Sequence, residues 1–366
     1  MIFDPRPKER LRDLFDREVE INKFVNALND PAVVVLGLRR TGKSSLINAV
    51  LNDYGYRYIY VDTRVLEQKP YAAYPDLVRL LERAFNDAVG RFNELIEVFR
   101  RIRGVSVAGF SISLSWSRRN GVDIAEVFDK LNDWASDRGL RFVVVLDEAQ
   151  ELVKVRGVNL LPVLAYVYDN LRNITIVASG SEVRVLSRFL RLNDPESPLF
   201  GRYVARLELL PFTREQAVEF LRRGFEEVGV SFSDYDKVYD AIGGIPGWLT
   251  YFGFTYIREG PEGAIDRVRE YAMSILRREF CNFLMEGRYV SKDRYIRVIE
   301  MCRFGCTWSD VKRTLEALEG RSINDATVKS IIDSLIDHSI LIKRDDTYYL
   351  GDPLIADALK DNVSCT

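Results

Sequence analysis

The chain has 366 residues, 47% of them apolar and 29% charged, with a formal net charge of −2. That length exceeds one ordinary core and predicts two or three domains. The near-neutral balance excludes a general basic field for nucleic acid or anionic lipid. No apolar run approaches a membrane span, and the opening MIFDPRPKER is not a signal peptide, which together predict a cytoplasmic protein. A chain poor in Gln and His and rich in Arg, Glu and Tyr suits a heat-loving source.

In chain order, the first informative stretch is VVVLGLRRTGKSSLINAVL, residues 33–51. It completes G-x-x-x-x-G-K-[ST] with Gly37, Gly42, Lys43 and Ser44, between a β-branched run and an amphipathic helix. The physics asks for this order. Glycines let the backbone curl so that amide hydrogens face phosphates, and the helix N-terminus adds positive potential. Lys43 is placed for the β- and γ-phosphates, and the Ser44 hydroxyl for Mg²⁺. Arg40, Thr41 and Ser45 complete the nucleotide-binding candidates of this loop.

YRYIYVD (56–62) reads as a second strand. YPDLVRLLERAFNDAVGRFNELIEVFRR (74–101) has the spacing of one long amphipathic helix, and VSVAGFSISLSWS (105–117) alternates like a hairpin with Gly109 for its turn. These form an insertion at about 64–120, read as a covering of the sheet in preference to a partner-binding hairpin. RFVVVLDEAQEL (141–152) then ends a buried strand at Asp147, where a P-loop protein directs its metal, with Glu148 facing the attacking water. The letters DEAQ suggest a helicase, but a helicase needs a second parallel-sheet lobe. After NLLPVLAYVYDNLR (159–172) and the strand NITIVASGSE (173–182), the chain beyond Pro211 reads mostly as helices: 213–229, 235–260 interrupted at Gly243, Gly244 and Pro246, and 262–287. The helix at 213 opens with a Thr-x-Glu start close to a capping box.

The tail from about Tyr289 has three helix candidates, 291–303, 307–320 and 324–339, and a strand pair at 340–352, a pattern that resembles a winged helix. Its third helix sets Lys329 against Asp325, Asp333 and Asp337. Residues 286–361 hold twelve Lys plus Arg and fourteen Asp plus Glu. A DNA reader clusters cations, so charge favours a packing or regulatory role. His338, the single histidine, reads as structural. Cys302 and Cys306 flank RFG, but without further histidines or a second close pair the four cysteines are expected as reduced structural thiols.

A strand inserted between the two motifs, plus Glu148 after Asp147, resembles the additional-strand, catalytic-glutamate division of P-loop NTPases. LFDREVEINKFVNAL (14–28), GSE with SPLFGRYVARLELLPF (to 212), and GGIPGWLTYFG resemble corresponding elements of the archaeal ATPase family, a STAND-like branch of AAA+. The resemblance implies an α/β fold: a parallel-sheet P-loop core (1–211), a helical lid (212–287) and a winged-helix domain (288–366). It implies ATP or ADP with Mg²⁺ between core and lid, with Ser44 and Asp147 on the metal. Ser179 or Ser181 takes the sensor-1 position and Arg202 that of an arginine finger, in its own chain or in a neighbour's. The base lies against Leu14 to Arg17 and against Pro246. Gln150 and Glu151 depart from STAND proteins with two aspartates at this motif, and Glu148 argues for hydrolysis. The implied function is a nucleotide-dependent switch acting on an unknown protein partner. The alternative is an ATP-regulated DNA-binding protein using the winged helix.

Overall fold

Uninterrupted β-branched runs suit strands covered on both faces, and the chain uses them that way. The computed structural model describes every residue except 68, 70, 116–121, 182–185, 187, 188, 193, 286, 287, 361–364 and 366. Its first seven strands are β1 (Ala32–Gly37), β2 (Arg57–Asp62), the short β3 (Val105–Ala108) and β4 (Ser111–Leu114), β5 (Phe142–Asp147), β6 (Ile174–Gly180) and β7 (Ala205–Leu209). Five of them form one parallel sheet in the order β2-β5-β6-β1-β7. β6 thus lies between the P-loop strand and the Asp147 strand. Leu36 is in register with Gly180, and Leu146 with Ala178, so the ends of β1, β5 and β6 open at one edge. The site grows from that edge.

Helices Glu18–Ala27 and Lys43–Asp53 cover one face through Phe24, Leu28, Leu46, Ile47 and Val50, all buried. The other face lies under the insertion, where Val34, Ile59, Val144 and Ile176 share a core with Leu77, Phe85, Phe99 and Ile112. The long helix expected over 74–101 is shorter. It runs Tyr74–Arg91 and stops as Phe92 leaves helical geometry (φ −131°, ψ 80°), its ring packing edge-on against Tyr58. A tertiary contact outweighs the local period there. The hairpin β3–β4 turns at Gly109 (φ 62°) and lies on that helix, with Asn86 bonding both backbone groups of Ile112 at 2.8 Å. Residues 116 and 117 of the expected hairpin lie outside the described residues.

Beyond β7 come lid helices Arg214–Glu227, Tyr235–Ile242, Pro246–Glu259 and Ala264–Met285. The first is capped by Thr213 with Gln216, not with the glutamate the sequence suggested. The tail is a winged helix: helices Lys292–Met301, Trp308–Glu319 and Asp325–Asp337, then a sheet of β8 (Cys306–Thr307), β9 (Leu341–Arg344) and β10 (Thr347–Leu350) in the order β8-β10-β9. Lid and winged helix share one continuous core from Phe220 and Trp248 through Phe280 to Leu335 and Leu359. The N-terminal segment straps this body to the sheet. Phe3 is fully buried, and a Cβ on Gly224 or Gly253 would come within 2.2 Å or 2.4 Å of its ring. Among the described residues no helix is long and apolar enough to cross a membrane.

The cysteine expectation is corrected. Cys281 bonds Cys365 across 84 residues of chain, Cys302 bonds Cys306, and no cysteine is free. The pairing fixes the end of the last lid helix to the C-terminal segment. Denatured protein without reductant should therefore give no thiol signal with an aromatic disulfide reagent, and four thiols after reduction; four before reduction would refute both bonds.

Candidate nucleotide-binding site

The loop after β1 is shaped by backbone geometry that few residues accept. Gly37 has φ 150° and Gly42 φ 98°, and between them Arg40 has φ 67°. A Cβ on Gly37 would lie 2.5 Å from the Leu209 carbonyl, so β7 also demands glycine here. Gly42 opens the helix Lys43–Asp53 with no side-chain cap, leaving amides directed at the cleft. Thr41 is buried and ties its hydroxyl to the Leu38 carbonyl (2.9 Å).

Lys43 is only 5% exposed. Its Nζ donates to the carbonyls of Gly37 (2.9 Å) and Leu38 (3.1 Å) and lies 3.7 Å from Glu148. Burial lowers its pKa, and the Glu148 and Asp147 carboxylates oppose that. Asp147 Oδ2 accepts from Ser44 Oγ (2.9 Å) and Tyr60 OH (2.6 Å), and its Oδ1 accepts from Ser179 Oγ. Two oxygen ligands of different chemistry thus converge at the start of the P-loop helix. That donor set fits a hard divalent cation such as Mg²⁺, which keeps few protein ligands and shares phosphate oxygens.

Glu148 sits at φ 53°, a left-handed conformation uncommon for a residue with a side chain. Its Oε2 accepts from Gln150 Nε2 (2.6 Å), Ser181 N (2.9 Å) and Ser181 Oγ (2.6 Å). Burial alone would raise its pKa. Lys43 and these hydrogen bonds outweigh that and hold it at about 2, an ionised carboxylate at neutral pH.

Lys43, Ser44, Glu148 and Gln150 line a cleft of about 490 Å³, within the range for a small-molecule site, and Asp147 stands behind Ser44. Leu14, Phe15, Arg17, Arg40, Thr41, Gly42, Lys43, Ser44, Ser45, Glu148 and Pro246 all border it. Phe220 and the lid residues Tyr251 and Tyr271 also line it. Arg17 is buried and bridges the carbonyls of Thr41 (3.3 Å) and Leu210 (2.8 Å), so it holds loop and sheet together. Ser45 accepts from the Lys8 amide (3.0 Å) of the N-terminal strap. Ser179 stands behind Asp147. Arg202 is not brought to this cleft. Its guanidinium is engaged by Asp169 (2.9 and 2.6 Å) on helix Leu161–Asn170.

The sequence marked Arg40 for nucleotide but not the contacts by which it, Trp248 and Asp352 join the three bodies. Arg40 lies 4.4 Å over the Trp248 ring and bonds Glu279 at 2.8 Å. Trp248 Nε1 donates to Asp352 (2.7 Å) in the turn after β10, where burial pushes the carboxyl pKa up to about 6. The cue was partly present, since Pro246-Gly247-Trp248 follows the lid glycines. A Cβ on Gly247 would meet Arg40 Cβ at 2.6 Å.

A Walker-type loop, a strand-end Asp-Glu pair and β6 between their strands define a P-loop ATPase fold of the AAA+ kind with a C-terminal winged helix. The chain belongs to the family of ATPase domains found predominantly in Archaea, whose model matches residues 14–252. Residues 290–350 match the C-terminal winged helix-turn-helix domain of MCM proteins. The Walker-type ATPase paby2304 of Pyrococcus abyssi is 34% identical over 98% of this chain and 100% of its own, with a TM-score of 0.81. The Aeropyrum pernix ORC2 protein, solved as ADPNP–ADP complexes, shares the fold at 12% identity over 99% and 96% of the two chains, with a TM-score of 0.53. No curated protein matches the chain.

Lys43→Ala should abolish ATP binding or weaken it severely, because the triphosphate loses the cation that the P-loop itself holds among its amides. Isothermal calorimetry measures this directly; unchanged affinity would remove the site assignment.

Proposed function

We propose that the protein binds and hydrolyses ATP with Mg²⁺ and works as a STAND-type switch whose nucleotide state acts on a protein partner. The observation that carries the reading is the convergence of Lys43, Ser44, Asp147 and Glu148 at one sheet edge, under a lid that shares its core with the winged helix. The loop amides and Lys43 bind the β- and γ-phosphates. Ser44 and Asp147 hold Mg²⁺, which when bound polarises the phosphate oxygens. Glu148, ionised and held 3.7 Å from Lys43, orients and deprotonates the attacking water, and the charge that develops on the phosphoryl oxygens meets Lys43. The adenine base packs against Leu14–Arg17 of the core and Pro246 of the lid, so the lid reaches the nucleotide at its base end while the core holds base and phosphates. The working units of this reading are residues 1–211, 212–287 and 288–366.

Arg202 as an arginine finger would serve a neighbour's site, since in its own chain the guanidinium pairs with Asp169 and does not line the cleft. A second reading, ATP-regulated DNA binding through the winged helix, draws support from the match of residues 290–350 to a winged helix-turn-helix domain. The twelve cations against fourteen anions over 286–361 weigh against it.

Glu148→Gln should keep Mg²⁺-ATP binding, since Asp147 is untouched, and should slow hydrolysis by about two to four orders of magnitude, the usual span for a positioned base. Phosphate release under saturating ATP gives the rate; turnover like wild type would move the base role to another group.

A further inference from the structure

Two of the three hydrogen bonds on Glu148 Oε2 come from one residue, Ser181, at the end of β6. The carbonyl of that same Ser181 accepts from Ser339 Oγ (2.8 Å), which belongs to the winged helix. The contact spans 158 positions in sequence and joins the ATPase core directly to the tail. We infer that Ser339 and Ser181 are positioning residues through which the docked winged helix restrains the Glu148 carboxylate, so that lifting the winged helix frees that carboxylate to turn to water. The inference rests on Glu148 as the base and names the contact that regulates it.

The surroundings of Ser339 suit a contact made and broken as a unit. Ser339 lies just past the third winged-helix helix at φ 56°, where a side-chain-bearing residue persists only if its neighbours hold it. Gly351, in the turn after β10, supplies the holding. Its amide donates to the Ile340 carbonyl (2.9 Å), and a Cβ there would stand 2.2 Å from the Ser339 carbonyl and 3.1 Å from Leu38 of the P-loop. One residue later Asp352 accepts from Trp248. The winged helix therefore touches the P-loop, the lid and the residue after β6 through two neighbouring segments, one at Ser339 before β9 and one at Gly351–Asp352 after β10.

A docked winged helix holds Ser181, and Ser181 holds Glu148 with both its amide and its hydroxyl. The carboxylate is ordered, and its Oε2 spends its acceptor capacity on the protein. Losing the Ser339 hydroxyl removes one neutral hydrogen bond from this chain, and a bond of that kind changes an equilibrium by about three- to tenfold. The direction is acceleration, opposite to what damage to a structural serine would give.

The test is steady-state ATP hydrolysis by the full-length chain. Ser339→Ala should raise kcat about three- to tenfold and leave KM for ATP unchanged, because no group facing the phosphates is altered. Gly351→Ala, which forces the turn off Leu38 and Ser339 without touching a hydroxyl, should also raise kcat and serves as the second variant should the first not fold. Neither substitution should stimulate a chain that also carries Glu148→Gln. The relay is overturned if Glu148→Gln is inert while both variants turn over at or below the wild-type kcat. If Glu148→Gln itself hydrolyses normally, the base reading has failed and the relay falls with it, a result readable from that variant alone.

Discussion

Lys43 carries an ammonium group into a region almost closed to solvent, and burial on that scale disfavours the charge. Two loop carbonyls and Glu148 stabilise it there, and Asp147 adds its field from the next position. The loop must curl to aim the Gly37 and Leu38 carbonyls at Nζ, which requires positive φ at Gly37, Arg40 and Gly42. Asp147 and Glu148 must end β5 at the level where β1 ends, which the parallel register with β6 between them provides. The same arrangement makes an anion site, because a cation held by weak partners is available to a triphosphate.

The second feature is how tightly the other two bodies are tied to that loop. Arg40 spans from the P-loop to Trp248 and Glu279 of the lid, Trp248 reaches Asp352 of the winged helix, and Ser339 reaches back to Ser181. Exposed ion pairs contribute little, but these links are largely enclosed and each joins a different pair of bodies. A ligand that favours one arrangement of the loop shifts all three, by no more than its differential affinity for the two arrangements. Coupling of this kind is reciprocal: if docking restrains Glu148, engagement of Glu148 with ATP must loosen docking.

The sheet, the P-loop and the strand-end carboxylates were legible because each is written in one local window: a β-branched run, a glycine-spaced loop, an amphipathic helix. The winged helix was legible from helix periods and the final strand pair. What escaped depends on partners far apart in the chain. Ser181 lies 33 residues from Glu148, Trp248 104 from Asp352, and Cys281 84 from Cys365. No local period encodes those meetings. The helix break at Phe92 had the same origin, a ring drawn to Tyr58. Arg202 was placed correctly in the chain before β7, yet its side chain follows Asp169, a choice made by a neighbouring helix.

Coupling between the nucleotide cleft and the winged helix is most directly tested by amide hydrogen exchange over residues 339–354, in wild-type protein, with Glu148 intact, saturated with a non-hydrolysable ATP analogue and again with ADP. Exchange here reports opening of the two neighbouring segments that carry Ser339, before β9, and Gly351 with Asp352, after β10. Exchange should be faster with the ATP analogue than with ADP, confined to the segments at Ser339 and at Gly351–Asp352 and their contacts on Leu38, Ser181 and Trp248. Identical exchange in the two nucleotides, with both shown to be bound, would contradict it.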